Sequence, residues 1–370
     1  MEGYDIELIY SKQFQDIELD AWRMNILILD LQRQLLILGC TNYLLFFSIS
    51  GLEVKQLKNI NIDQNDMINQ LKQYDHLLFA TTMNSFIYIY DLDNILIKPI
   101  KLQGLYEKIT DCSIWSIDIC QQYLAVGSNS HIISLWSRKV LGFDKPDHKY
   151  LDDREIRVKF TKQDLMRADI EFPIRYSIQN HKHNIPCVSF SPCCQFLASG
   201  SIDGGLRIYL VENGTQLYSI MFSEWVWCIT WIQLNELSTT NQCSEIDLIL
   251  QYNLIAGFKD QIKICQIINQ NLKVINDDFY INTSLQGQRF QKLQYLKELN
   301  ILFAFPQHDK QFCLMEIYNL NQIIKDQDHT IKLTAENLIS ADTQQIENSF
   351  DAIIAVLTWQ KNIKLYRIRV

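Results

Sequence analysis

Residues 181–209 read HKHNIPCVSFSPCCQFLASGSIDGGLRIY, three runs of alternating apolar residues broken by Ser191-Pro192 and by Asp203-Gly204-Gly205, with a histidine pair in front. Two readings compete. His181, His183 and Cys187, with Cys193 or Cys194 as a fourth, offer zinc-type donors; alternatively the stretch is one copy of a repeated unit. The spacing His-x-His-x3-Cys matches no standard ligand pattern, and alternate residues of a strand point to opposite faces, so metal is the weaker reading. A repeated unit must have siblings.

The chain supplies them. Short runs with a period of two recur throughout while helical periodicity is scarce, which predicts an all-β protein. Four segments align, each apolar at its first, fourth and sixth positions: Ile114–Ile119, Ile185–Phe190, Val226–Trp231 and Phe290–Tyr295. An apolar segment, a turn and another alternating segment follow each of them. Seven such pairs occur, within 35–47, 77–91, 123–136, 196–209, 253–265, 301–318 and 352–368. Their turns carry Asn42, Asn84, Ser130, Asp203, Asp260, Asp309 and Asn362, types whose side chains bond turn backbone. The third segments end at Phe47, Tyr90, Trp136, Tyr209, Cys265, Tyr318 and Tyr366, a period near forty with insertions, as four-stranded propeller blades give.

HKHNIPCVSFSP followed by LASGSIDGGLRIY resembles a WD repeat, the family with Gly-His before the first strand and Trp-Asp after the third. Here Asn180-His181 and Tyr209-Leu210 stand in those places, and the pattern is close only around 111–138 and 180–214. The resemblance implies a seven-bladed propeller of four-stranded antiparallel blades over residues 1–370. It also assigns His181, Asp203, Ser199 or Ser201, and the aromatic Tyr209 to a buried hydrogen-bonded set. Such a set satisfies groups that would each cost roughly 1–3 kcal/mol if buried unpaired. The chain ends without a fourth strand for the last blade, and Tyr4–Tyr10 alternates as a strand does. It is predicted to complete that blade and so remove an open edge.

Composition narrows the function. A formal net charge of -8 argues against generic attraction to nucleic acid or acidic membranes. The first residues have the character of neither a secretory nor a mitochondrial leader, so an intracellular site, cytoplasmic or nuclear, is expected. The uncharged run Leu35–Leu52 is long enough to invite a membrane reading, but Thr41-Asn42 in its middle marks two strands joined by a turn. Ten cysteines without a Cys-x-x-Cys read as small buried side chains. No phosphate-cradling glycine motif and no nucleophile elbow occurs, and no pair of acids stands out, so neither catalysis, a cofactor nor a small-molecule substrate is expected.

Protein partners are expected instead. Trp115, Pro186, Trp227 and Gln291 fall in equivalent places at the starts of the innermost strands, with Trp225 two residues before Trp227. Tryptophan is enriched in interaction hot spots, and packing between blades is the competing explanation for these positions. Two polar insertions, 138–171 (dense mixed charge) and 233–247, are predicted to leave the opposite side. Together these features suggest a non-catalytic scaffold within a larger complex. A peptide-reading propeller using the tryptophan rim and a nucleic-acid-associated subunit are the alternatives. SIWSIDICQQYLAVGSNSHIISLW followed by HNIPCVSF also resembles a fungal WD-repeat branch implicated in transcriptional control of ribonucleotide reductase genes, which implies an adaptor role.

Overall fold

The computed structural model describes residues 5–15, 17, 26–50, 53–95, 99–103, 112–121, 123–137, 177–233, 249–259, 261–268, 270–276, 289–297, 299, 301–307, 311–319, 322–323, 329–332, 338–347, 349 and 351–369. Among the described residues strands dominate, with Ile249 helical, and the strands form seven sheets in which neighbours pair antiparallel. The first sheet is β2 (Leu27–Asp30), β3 (Leu35–Gly39), β4 (Tyr43–Ser50) and β5 (Glu53–Asn61). The second is β6 (Ile68–Tyr74), β7 (Leu77–Thr82), β8 (Phe86–Asp91) and β9 (Ile100–Gln103). The third is β10 (Ile114–Ile119), β11 (Tyr123–Ser128), β12 (Ile133–Ser137) and β13 (Ser177–Ile178); the fourth is β14 (Cys187–Phe190), β15 (Phe196–Gly200), β16 (Gly205–Leu210) and β17 (Gln216–Met221). The fifth is β18 (Cys228–Gln233), β19 (Tyr252–Gly257), β20 (Ile262–Ile268) and β21 (Asn271–Asn276). In the sixth, β22 (Arg289–Leu296) and β23 (Ile301–Gln307) lead to β24 (Gln311–Asn319), which pairs with both β25 (Gln322–Ile323) and β26 (His329–Lys332).

The seventh sheet runs β27 (Leu338–Gln345), β28 (Ala352–Thr358), β29 (Asn362–Arg369) and then β1 (Asp5–Gln13) from the amino-terminal end of the chain. β1 lies antiparallel to β29, from Asp5 opposite Arg369 to Gln13 opposite Asn362, with a bulge between Leu8 and Tyr10. The predicted strand, Tyr4–Tyr10, overlaps β1 from Asp5 to Tyr10, and Tyr4 lies outside the described residues. Arg369 adds ion pairs to Asp5 at 2.9 Å and Glu7 at 3.0 Å, both exposed and worth little on their own.

Period-two sequence becomes packing in a simple way. The second strand of each sheet is mostly apolar on both faces, since each face meets a neighbouring sheet. Leu35–Gly39, Leu77–Thr82, Phe196–Gly200 and Ala352–Thr358 are buried along their whole length. Seven core clusters result, each shared by two consecutive sheets. One of them joins Leu29, Leu38 and Phe47 of the first sheet to Leu357 and Leu365 of the last. The first strands of neighbouring sheets touch in turn, β2 with β6, β6 with β10, and so on until β27 meets β2. They surround a central cavity of about 550 Å³.

Two glycines are required by this geometry. A Cβ on Gly200 would lie 2.6 Å from Cys187 Sγ and would also strike Val226 of the next sheet. Gly204 turns the chain from β15 to β16 at a φ of 82°. In the equivalent turns Ser85, His131 and Lys361 accept the left-handed conformation, at φ of 66°, 66° and 63°. The run Leu35–Leu52 is the β3–β4 hairpin, and no helix among the described residues is long and apolar enough to cross a membrane. Asp260, Asp309, the insertion 138–171 and all of the insertion 233–247 except Gln233 lie outside the described residues.

Candidate interaction surface and the buried polar set

The loop before β14 and the β15–β16 turn bring His181 and Asp203 together. Imidazole Nδ1 lies 3.2 Å from Asp203 Oδ2, and Nε2 lies 2.6 Å from Ser199 Oγ. Both ring nitrogens are therefore engaged inside the fold, which removes His181 from any metal reading. Asp203 also accepts from the backbone N–H of Lys182 at 2.8 Å and of Gly205 at 2.7 Å. The strand serine of the set is Ser199. Ser201 instead accepts from Asp203 N at 3.0 Å and donates to His183 O at 3.2 Å, closing the turn. Tyr209 is fully buried beside them, but its hydroxyl makes no hydrogen bond, so the expected set closes without it, and burial pushes its phenol up to about 12.

A residue that sequence reading passed over completes the cluster. Arg207 of β16 is buried, its Nη1 lies 3.2 Å from both Asp203 carboxylate oxygens, and it contacts His181 Nδ1. Burial alone would raise the Asp203 carboxyl; its bonds to His181, Lys182 N, Arg207 and Gly205 N outweigh that and hold it well below the usual carboxylate range. Burial lowers the His181 imidazole, the Asp203 bond opposes this, and Arg207 adds to it, leaving the ring neutral at pH 7. A readable signal existed: an arginine inside GLRIY, a strand buried on both faces, must have a partner.

Around the cavity, side chains of the first strands bond the backbone of a neighbouring sheet. Gln70 Oε1 accepts from Ile117 N, Ser116 Oγ donates to Ile185 O, and Asp118 Oδ2 accepts from Phe190 N at 2.7 Å. Trp231 Nε1 donates to Ser189 O, Gln294 bonds Thr343 in both directions, and Asp342 Oδ2 accepts from Leu29 N at 2.8 Å. Asp30 Oδ2 accepts from Gln73 at 2.7 Å between the first and second sheets. Two lysines complete the pattern: Lys72 pairs with Asp118 at 2.7 Å and Lys292 pairs with Asp342. These groups hold sheets to sheets. None of the aspartates that do so was singled out by the sequence reading.

The predicted tryptophan rim separates into exposed and buried members. Trp225 is 52% exposed, whereas Trp227 and Gln291 are buried and Trp115 is half-buried. Trp115 belongs to β10 and Trp227 precedes β18, with β14 between them in the ring, so they do not form one pocket. The pair that meets is Trp225 and Trp227, edge to face at 5.6 Å. The Arg289 guanidinium covers Trp227, 4.2 Å from its ring centre, which is why Trp227 packs inward and only Trp225 faces solvent.

Comparison with known proteins agrees with this picture. Residues 173–209 match the family model described as WD domain, G-beta repeat. A WD40 repeat-containing protein of Dictyostelium discoideum is 25% identical over 62% of this chain and 30% of its own length. An uncharacterized WD repeat-containing protein of Schizosaccharomyces pombe is 25% identical over 48% of this chain and 33% of its own. The matched regions thus span about a third of these relatives. A chain in the crystal structure of the mitotic checkpoint complex superposes with a TM-score of 0.68 at 12% identity, over 97% of this chain and 94% of that one. At that identity the likeness speaks for the fold alone. The chain is an all-β propeller carrying a WD repeat, a fold typical of protein-interaction scaffolds.

Proposed function

We propose that this propeller is a non-catalytic scaffold or adaptor that holds a protein partner on the face bearing Trp225, within a larger assembly. The observation that carries this reading is a large aromatic side chain presented to solvent from a loop that is itself fixed. The loop before β18 is tied by Phe222 N to Gly204 O at 2.9 Å, Val226 N to Ser201 O at 3.1 Å and Trp227 N to Gly257 O at 2.9 Å. Nothing in the fold needs Trp225 exposed. A rigid, exposed indole has little conformational freedom left to lose on binding, which suits a hot-spot residue.

The polar groups that might suggest chemistry support the same reading. His181, Ser199, Asp203 and Arg207 bond one another, and the cavity aspartates bond backbone and lysine. Each has a structural employment. The insertions 138–171 and 233–247 fall between β12 and β13 and, from Gln233 at the end of β18, between β18 and β19 in the sequence, and the reading adds a second docking side built from them. The likeness of 113–136 and 183–190 to the fungal branch points to a nuclear or cytoplasmic adaptor.

The test is purification of tagged full-length protein from its native cell, comparing wild type with Trp225→Ala and with Leu57→Ser, an exposed control on β5. Loss of a defined set of co-purifying proteins in Trp225→Ala alone supports the reading. Identical sets in all three contradict it.

A further inference from the structure

The central cavity of about 550 Å³ is walled by the first strands, and its polar groups fall into two kinds. The inner carboxylates are engaged by the wall itself. Asp30 accepts from Arg33 N at 3.0 Å and from Gln73 at 2.7 Å, Asp118 from Phe190 N and Lys72, and Asp342 from Leu29 N and Lys292. Asp75 stands at one mouth, its side chain 65% exposed, with an oxygen 2.9 Å from His76 Nδ1.

The donors are not all engaged. Gln70 Oε1 accepts from Ile117 N and Gln344 Oε1 accepts from Leu31 N, so each amide has its N–H2 end left to offer, and no described residue accepts from either. Lys72 and Lys292 each carry three N–H bonds, and each has one carboxylate within hydrogen-bond distance. The two ammonium groups also oppose each other: burial lowers the Lys292 ammonium, Asp342 counters this, and Lys72 adds to it. A cation entering here would have to part a lysine from its carboxylate. An oxyanion would instead take the hydrogens left over, offset the repulsion between the lysines and gain charge-assisted bonds within low-dielectric walls.

We infer that the central cavity binds a small phosphate oxyanion, as free phosphate or as a phosphorylated metabolite, between Lys72 and Lys292, with the amides of Gln70 and Gln344 as further donors. These four residues come from β6, β22 and β27, three sheets of the ring, so such a guest would join sheets as the wall's own bonds do. The volume lies within the range of small-molecule sites. The anion is a ligand and not a substrate. Its site is separate from the Trp225 face, so the inference does not rest on the scaffold reading and can fail without it.

The experiment titrates full-length protein in phosphate-free buffer at constant ionic strength, by isothermal calorimetry and thermal denaturation. The probes are inorganic phosphate, inositol hexakisphosphate and, as a cation, spermine. At least one of the two anions is expected to bind and to raise the melting temperature. Binding of inorganic phosphate marks the free ion as guest; binding of inositol hexakisphosphate alone marks a phosphorylated metabolite. Gln70→Glu and Gln344→Glu keep the oxygen that accepts from the backbone while exchanging N–H2 for negative charge. Each should weaken binding by about tenfold or more, as should Lys72→Met. Lys55→Glu, at an exposed position of β5, should leave it unchanged. Circular dichroism confirms folding, and the two glutamine variants decide if Lys72→Met does not fold. The inference is overturned if neither anion binds at millimolar concentration, if the cavity variants bind as wild type does, if Lys55→Glu weakens binding as much as they do, or if spermine binds more tightly.

Discussion

Arg207 Nη1 lies 3.2 Å from each carboxylate oxygen of Asp203, so the turn that defines the fourth sheet is closed by an ion pair as well as by His181. The two partners are not equivalent. Asp203 without Arg207 keeps His181 and two backbone N–H groups, whereas Arg207 without Asp203 is a buried cation with its carboxylate gone. Asp203→Ala should therefore cost about 3–5 kcal/mol and Arg207→Leu distinctly less. Urea unfolding of the two variants, followed by tryptophan fluorescence, checks the order.

Stability should fall on mild acidification, and His181 should be one cause. Its pKa is lowered in the folded state, chiefly by burial, so the unfolded chain binds the proton more readily. The stabilisation is complete above the unfolded value near ~6.5 and is lost as pH falls through it towards the lowered folded value. Asp203 acts at lower pH: its carboxyl is also lowered, so its contribution holds above about 4 and is lost below. His181→Gln should flatten the dependence between pH 7 and 5, where one proton gives a slope of at most about 1.4 kcal/mol per pH unit. An unchanged slope in that variant would remove His181 as the cause.

The cavity pairs give a second asymmetry. Asp118 accepts from Phe190 N and from Lys72, so Asp118→Ala strands both donors and should cost about 3 kcal/mol. Lys72, whose side chain is 40% exposed to the cavity, can be replaced by Met for roughly 1 kcal/mol or less. Thermal denaturation of both variants separates the two costs.

Trp225 and Trp227 should part company as well. Trp227→Ala opens a buried site beneath Arg289 and should lower stability by about 3–5 kcal/mol. Trp225→Ala removes an exposed ring and should stay within about 1 kcal/mol of wild type while losing partners. Equal destabilisation would make Trp225 a packing residue.

The fold was legible because period-two runs and their turn residues are local, and they recur often enough to reveal one another. Even the pairing of β1 with β29 left a trace, since the alternation of apolar residues over Tyr4–Tyr10 marks a strand that must find a sheet edge to pair with. The His181–Asp203 bond was readable through its motif. Residues that work between sheets were not. Asp118 in SIWSIDI and Asp342 in LISADTQQ occupy strand positions where only the next sheet's backbone explains a carboxylate, and no sequence period reports that neighbour. The split of the tryptophan rim into covered and exposed members was not legible for the same reason: repeat alignment equates Trp115 and Trp227 by position, but Arg289 decides which indole is covered.

The closing of the ring is tested most directly by disulfide trapping of its joint. Ile6 faces Ile368 and Glu7 faces Arg367 across β1 and β29. Cysteines placed at 6 and 368, or at 7 and 367, should cross-link on mild oxidation in at least one of the two registers, with peptide mapping by mass spectrometry identifying the bridge. The cross-linked protein should unfold at higher denaturant than its reduced form. Failure of both pairs to join in folded protein, or cross-linking that unfolds the seventh sheet, would contradict a ring closed by its amino-terminal strand.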